Sequence, residues 1–242
     1  MKFSIVIPIY NERATAPILL DRVLGVRLDG VEKEIIIVEG ASTDGTAEIV
    51  RGYEGRPGVR VLYEDRPRGK GAAVRAGLAL ATGDVVLVQD GDLEYSMDDY
   101  GKVLEPLKAG RCEIVFGSRT LTSPQHWQFR RFGGLERFYG FFVNLGGVLF
   151  TGLFNALYGT DLTDGATMFK VFKADRLKTI TLKSEGFDYD WELTGKLVRA
   201  GCRIEEVPVS YKARSRAEGK KIRFWRDGTR VLIAILRYRF AD

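Results

Sequence analysis

Through its first hundred residues the chain alternates two hydrophobic periods. "FSIVIPIY" is an apolar run rich in β-branched residues, and "ERATAPILLDRVLGV" places Ile18, Leu19, Val23 and Val26 at helical spacing. "EIIIVEG" predicts a second buried strand, followed by "STDGTAEIVRGY", where Ser42, Thr43 or Asp44 can cap a helix. "VRVLY" predicts a third strand, "GKGAAVRAGLALATG" an Ala-rich helix closed by Gly83, and "VVLVQD" a fourth strand. Strands alternating with helices imply right-handed crossovers and a mostly parallel sheet of the α/β class. Ligands of such sheets sit at the carboxyl ends of the strands, where Glu39 and residues 90–92 fall.

The second half follows a different pattern. After a helix in "SMDDYGKVLEPLKAG" and a strand in "EIVFGSR", residues 140–159 carry no charge at all. That length is enough to cross a bilayer, but a crossing would put the two halves of the chain on opposite sides of it. The expectation is an interfacial helix or hairpin flanked by Arg130, Arg131 and Arg137, the other reading being a buried core helix. "RVLIAILRYRF" near the C-terminus is also apolar and basic, and reads as a second surface anchor or a core helix. The partition expected is a catalytic domain over 1–210 and a basic loop with an amphipathic helix over 211–242.

Composition narrows this reading. The apolar fraction of 45% and charged fraction of 29% are those of a folded globular protein. The net charge of +5 is concentrated in "YKARSRAEGKKIRFWR", which suits phosphate ligands or an anionic membrane surface. Nucleic acid is not expected as a partner, because the strand ends are acidic and no nucleic-acid motif occurs. Cys112 and Cys202 have no metal or redox spacing and read as reduced core residues, and a lone histidine, His126, anchors no metal site. No signal peptide is read at the N-terminus. GxGxxG and the P-loop pattern are both missing, which disfavours dinucleotide oxidoreductases and P-loop NTPases.

The chemistry gathers at "VVLVQDGDLEY", where an apolar strand ends in Asp90, Gly91, Asp92 and Glu94. Two aspartates one glycine apart can share a hard divalent cation, Mg²⁺ or Mn²⁺, which completes its shell with phosphate oxygens and water. Glu39 follows the second strand, and Lys70 precedes a helix whose N-terminus favours anions. Acid for base and ribose, metal for diphosphate and a nearby cation together suit a nucleotide sugar.

From "SIVIPIYNE" through "EIIIVEGASTDGT", "RGKGAAVRAGLALATGDVVLVQDGDLEY", "VFGSR" and "LTDGATMFKVFK" to "FDYDWELTGKLVRAGCRIEEVPVSYKAR", the chain resembles the family-2 glycosyltransferases, in particular the dolichyl- or polyprenyl-phosphate mannose or glucose synthases. The resemblance implies a GT-A fold: a Rossmann-like, mostly parallel central sheet flanked by helices, with a C-terminal membrane-proximal helical part. It places Pro8, Tyr10, Asn11 and Glu12 over the nucleotide and Glu39 at the base, beside the Lys70 already read as a donor-side cation. Asp90, Gly91 and Asp92 fall at the metal and diphosphate, with Glu94 assisting. It implies acceptor-phosphate contacts at Arg119, at Arg130 or Arg131, and in a closing basic stretch that holds Lys220 and either Arg214 or Arg216. Asp92 and Arg119 are the residues closest to the chemistry on this reading.

Two departures stand out. The usual pair of acids after the second strand is here Glu39 and Gly40, and the usual acceptor-side G-x-S-K is here Gly219, Lys220, Lys221. The activity implied is metal-dependent, inverting transfer of a hexose from a GDP-mannose or UDP-glucose type donor to a polyprenyl phosphate, on the cytosolic face of a membrane. An acceptor phosphate is already anionic, so position and charge compensation matter more than a base. A saccharide or other lipid acceptor is the alternative, for which Asp164, Asp188, Asp190 or Glu192 would supply a base. The sequence leaves the sugar, the base and the oligomeric state open.

Overall fold

The apolar runs of the first half become parallel strands, the central ones buried on both faces and the edge strand Val59–Tyr63 only partly covered. In the computed structural model, which describes residues 1–121, 136–214 and 224–241, they are β1 (Lys2–Ile9), β2 (Glu32–Glu39), β3 (Val59–Tyr63) and β4 (Val85–Val88). Their crossovers carry α1 (Ala16–Gly25), α2 (Thr46–Arg51) and α3 (Lys70–Leu80). The second half adds α4 (Tyr100–Lys108), β5 (Ile114–Ser118), α5 (Glu136–Tyr158), β6 (Lys170–Lys173), α6 (Ala174–Leu177), α7 (Tyr189–Arg199), β7 (Ile204–Pro208) and α8 (Phe224–Phe240).

The seven strands form one sheet in the order β3-β2-β1-β4-β6-β5-β7. β6 pairs antiparallel with both β4 and β5, and every other pairing is parallel. The chain winds from β1 outward to β2 and β3, then returns across to β4. This reversal opens a crevice beyond the carboxyl ends of β1 and β4.

Alternate residues of β1 face different layers. Phe3, Ile5, Ile7 and Ile9 pack with Leu19, Leu20 and Val23 of α1 and Val103 and Leu104 of α4, while Val6 joins Val38, Val86 and Ala73 on the other face. Each such side chain, fully withdrawn from water, contributes about 1.5–3 kcal/mol. The small residues of α3 let it sit close on that second face: a Cβ built on Gly77 would stand 2.4 Å from Val6 Cγ1. The helix ends at Leu80, short of Gly83, because the turn after it has another task. Thr82 and Gly83 donate backbone N–H groups to the buried Glu34 carboxylate, which also accepts from Ser4 Oγ and Arg60. Both cysteines are buried thiols, as their sequence context implied.

The uncharged run 140–159 lies almost wholly in one continuous helix, α5, rather than a hairpin. By length and composition Gly140–Tyr158 could cross a membrane, yet one side of it is committed to protein. Phe154 is fully buried, stacked on Tyr158 at 4.1 Å and tilted against Trp191 of α7 at 5.5 Å. Tyr158 Oη donates to the Ile235 carbonyl of α8 at 3.0 Å, and Arg239 Nε donates to the Leu157 carbonyl at 2.6 Å. Apolar side chains remain open to solvent: Phe142 and Val148 on α5 are 54% and 43% exposed, and Ile233 and Phe240 on α8 are 55% and 72% exposed. The run is thus anchored to the core along one side, with about a fifth of it buried, and otherwise leaves apolar residues partly or fully exposed.

Candidate active site

β4 delivers its acids to the crevice because the apolar run ends at Val88 and the chain must turn. Gly91 passes close under the β1 loop, where a Cβ would stand 3.1 Å from the Pro8 carbonyl oxygen. Thr15 Oγ1 ties that loop together by donating to Gly91 O at 3.1 Å and Glu12 Oε2 at 2.7 Å. Across it, Asn11 (φ +50°) accepts from Thr43 N at 2.8 Å, while Ser42 Oγ accepts from Asn11 N at 2.9 Å. The strand-end loops of β1 and β2 are therefore one cross-linked unit.

Each acid at the end of β4 has a specific partner. Lys70, the first residue of α3, donates to Asp90 Oδ1, and its ammonium lies 5.6 Å from the Phe187 ring centroid. Asp92 Oδ1 accepts from Glu94 N at 3.0 Å and Oδ2 accepts from Arg214 Nη2 at 2.7 Å. Burial pushes the Asp92 carboxyl up to about 6; Asp90 and Glu94 add to the rise and Arg214 opposes it. Glu94 turns the other way and anchors the segment after β7. Its carboxylate accepts from Tyr211 Oη and from Arg214 N, each at 2.8 Å, and its carbonyl accepts from Lys212 N. Arg214 then reaches back to Glu12 with Nη1 at 3.0 Å and Nη2 at 3.3 Å.

Asp90 and Asp92 offer hard carboxylate oxygens on one short turn, balanced by Lys70 and Arg214, and this donor set fits Mg²⁺ or Mn²⁺. Among the described residues no three His, Cys, Asp or Glu side chains come together as a metal cluster. Glu94, expected as a third ligand, commits both oxygens to the 211–214 segment, which leaves Asp90 and Asp92.

Arg119, at the end of β5, is buried and held by Asp164. Its Nε and Nη2 each donate at 2.7 Å to one carboxylate oxygen, its backbone N donates at 3.0 Å, and its guanidinium lies 5.1 Å from the Tyr211 ring centroid. Behind this pair a second buried pair, Lys170 and Asp190, is completed by Thr194 Oγ1 and the Gly165 carbonyl. Lys196 meets Glu192 at 2.9 Å, and Glu192 also accepts from Lys183 N and Ser184 N. Three of the four carboxylates proposed as bases for a saccharide acceptor, Asp164, Asp190 and Glu192, are thus neutralised by buried cations.

Glu39 does not present its carboxylate as the sequence suggested. It is 1% exposed, and Ala41 N and Ser42 N donate to it at 3.1 and 2.9 Å. The acid that faces the crevice there is Glu64, directly after β3, which sequence reasoning passed over although the rule that singled out Glu39 applies equally to it. Lys170 and Tyr211 were also missed, and nothing short of the fold brings them to the site.

One cavity of about 1380 Å³ joins these groups. Its polar end is lined by Pro8, Tyr10, Glu12, Gly40, Glu64, Lys70, Asp90, Gly91, Asp92 and Glu94, with Arg119 and Arg214 at the middle. Its other end is a trough between α5 and α8 lined by Val143, Gly146, Gly147, Leu149, Phe150, Val231 and Leu232, with Arg226, Asp227 and Thr229 at the start of α8. Arg130, Arg131, Arg216 and Lys220, and the side chain of Arg137, lie outside the described residues.

The model of glycosyl transferase family 2 matches residues 4–165, and those residues include the acids after β4 and the Arg119–Asp164 pair. The chain belongs to this family. It is a hexosyltransferase by that membership and by its named relatives, and it resembles the polyprenyl-phosphate sugar synthases among them. It is 29% identical over 231 residues to an undecaprenyl-phosphate mannosyltransferase of Micrococcus luteus, covering 91% of this chain and 87% of that one. It is 28% identical over 224 residues to a dolichol-phosphate mannosyltransferase of Pyrococcus furiosus, of which it spans 59%. Among solved structures, glucosyl-3-phosphoglycerate synthase of Mycobacterium tuberculosis in complex with Mn²⁺, UDP and phosphoglyceric acid superposes over the whole chain (TM-score 0.70, 20% identity, 79% of that chain). That likeness establishes the GT-A-like fold of the transferase.

Proposed function

We propose that the transferase moves a hexose from a nucleotide sugar of the GDP-mannose or UDP-glucose type to a polyprenyl or dolichyl phosphate at a membrane surface. One observation carries this reading: a single cavity runs from the acids after β4, past Arg119, into a mainly apolar trough between two helices that also expose apolar residues to solvent. A diphosphate suits the first end and a hydrocarbon chain the second. The names of the mannosyltransferase relatives and the Mn²⁺- and UDP-bound state of the structural neighbour support both halves of it.

The chain's residues would divide the work by charge. Asp90 and Asp92 would hold Mg²⁺ or Mn²⁺, which supplies positive charge against the donor diphosphate. Lys70, the first residue of α3, faces the same group and adds a point charge, while the N–H groups of Gly71 and Ala72 behind it donate to the Glu185 carbonyl. Arg119, oriented by Asp164, and the basic segment beginning at Lys212 would steer the acceptor phosphate. An oxygen of that phosphate attacks the anomeric carbon as the bond to the diphosphate breaks; the nucleoside diphosphate leaves and the configuration inverts. No proton is removed in this step, which agrees with the commitment of Asp164, Asp190 and Glu192 to buried cations. The exposed faces of α5 and α8 would seat the protein peripherally on the cytosolic side of the bilayer.

The test is a screen of radiolabelled nucleotide sugars against polyprenyl phosphate in the presence of Mn²⁺, scoring label in the organic phase. Lipid-linked label that disappears in Asp90→Asn and Asp92→Asn is expected. Water-soluble product alone would sink the lipid acceptor, and full turnover by both variants would sink the metal role.

A further inference from the structure

Resting on the reading of the cavity as a nucleotide-sugar site, we infer that Glu64 reads the donor base and selects a guanine nucleotide. With the diphosphate at Asp90 and Asp92, the nucleoside has one direction open to it. Toward Arg119 the cavity leads into the apolar trough, so the nucleoside extends over the β1 loop toward the tips of β2 and β3, where Gly40 and Glu64 line the wall.

At that wall Glu39 is unavailable, since its carboxylate is folded back onto the amides of Ala41 and Ser42. Gly40 carries no side chain, and the room this leaves is taken by its neighbour: a Cβ on Gly40 would stand 3.6 Å from Glu64 Oε2. The backbone fixes this proximity, because Glu64 N donates to the Glu39 carbonyl at 2.8 Å. The other oxygen, Glu64 Oε1, is buried and has no hydrogen-bond partner among the described residues. A buried acceptor without a donor is costly, and a ligand that brings donors removes the cost. Burial accordingly raises the Glu64 carboxyl above its ordinary value, against the pull of Arg68.

A carboxylate is an acceptor at both oxygens. Guanine presents two adjacent donors on one edge, the ring N1–H and the 2-amino group, and satisfies both oxygens once the carboxylate turns Oε1, which is closed off from solvent, toward the cavity. Uracil presents one N–H between two carbonyls, each of which repels a carboxylate. Glu64 is therefore matched to guanine and mismatched to uracil.

The experiment is calorimetric titration of the full chain with GDP and with UDP in the presence of Mn²⁺, for the wild type, Glu64→Gln and Glu64→Ala, alongside thermal melts. The wild type is expected to bind GDP at least ~10-fold more tightly than UDP, as two charge-assisted hydrogen bonds require. Both variants are expected to lose about 10–100-fold in GDP affinity at an unchanged melting temperature, with UDP affinity moving less than about 3-fold. Unchanged GDP affinity, equal losses for both nucleotides, or a GDP loss accompanied by a lowered melting temperature would overturn the assignment to Glu64 alone. A wild type that binds neither nucleotide would bring down the nucleotide-sugar reading itself, and this inference with it.

Discussion

Arg214 Nη2 lies 2.7 Å from Asp92 Oδ2 while its Nη1 lies 3.0 Å from Glu12 Oε2, so one guanidinium bridges the loops after β1 and β4. Its Nε is buried without a hydrogen-bond partner among the described residues. A cation from residue 214 thus neutralises the carboxylate proposed to hold a divalent ion, and the two positive charges compete for Asp92. Arg214→Gln is expected to tighten Mn²⁺ binding by about 5–10-fold, the change that removing one nearby unit charge at a partly buried site produces. Electron paramagnetic resonance of free Mn²⁺ reads this directly. Weaker binding in the variant would mean that Arg214 organises the site rather than competing in it.

The Arg119–Asp164 pair is nearly solvent-free and bidentate, so removing one partner strands a buried charge. Asp164→Asn should cost about 3–5 kcal/mol in denaturant-unfolding free energy. Arg119→Met combined with Asp164→Leu should recover much of that loss and still show no lipid-linked product. A stable, active double variant would remove Arg119 from the proposed acceptor contacts.

The exposed apolar faces of α5 and α8 predict membrane attachment independently of catalysis. Phe142 and Ile233 are each more than half exposed, so Phe142→Glu with Ile233→Glu should leave the melting temperature within about 2 °C of the wild type. The same pair should lower co-sedimentation with anionic liposomes by at least ~10-fold, since each apolar anchor buried contributes about 1.5–3 kcal/mol. Unchanged sedimentation would show that these faces do not meet lipid.

Glu34 carries a pH-dependent share of the stability. Burial alone would raise its pKa, but hydrogen bonds from Ser4, Thr82 and Lys2 outweigh burial and bring it down to about 2. A folded-state pKa below the unfolded value near 4.5 means the contribution is complete above that value and is lost as pH falls toward 2. At pH 7, Glu34→Gln should be less stable than the wild type by about 2–3 kcal/mol. The difference should close between about pH 5 and 2, measured by urea unfolding at each pH.

Much of the architecture was legible because local signals agreed with the global fold. The apolar runs of β1, β2 and β4, the Ala-rich α3 and the acids after Val88 each state their role within a few residues. Glu39 shows where that stops. Its position after a strand marked it as a ligand-facing acid, but the tight β2 loop turns its carboxylate inward, and Glu64 from the adjacent strand fills the opening. The uncharged run 140–159 likewise has the composition of a membrane segment, and only its packing against α7 and α8 ties one side of it to the core.

The sequence by itself determined the family, the sheet-and-helix alternation of the first half and the turn that carries Asp90 and Asp92, because these depend on residues close together in the chain. The tertiary structure alone decided which charges meet. Arg214 reaches Asp92 across 122 positions and Arg119 meets Asp164 across 45. Such pairings follow from strand order and helix packing, which bring distant residues within hydrogen-bond reach and exclude the water that would otherwise screen them.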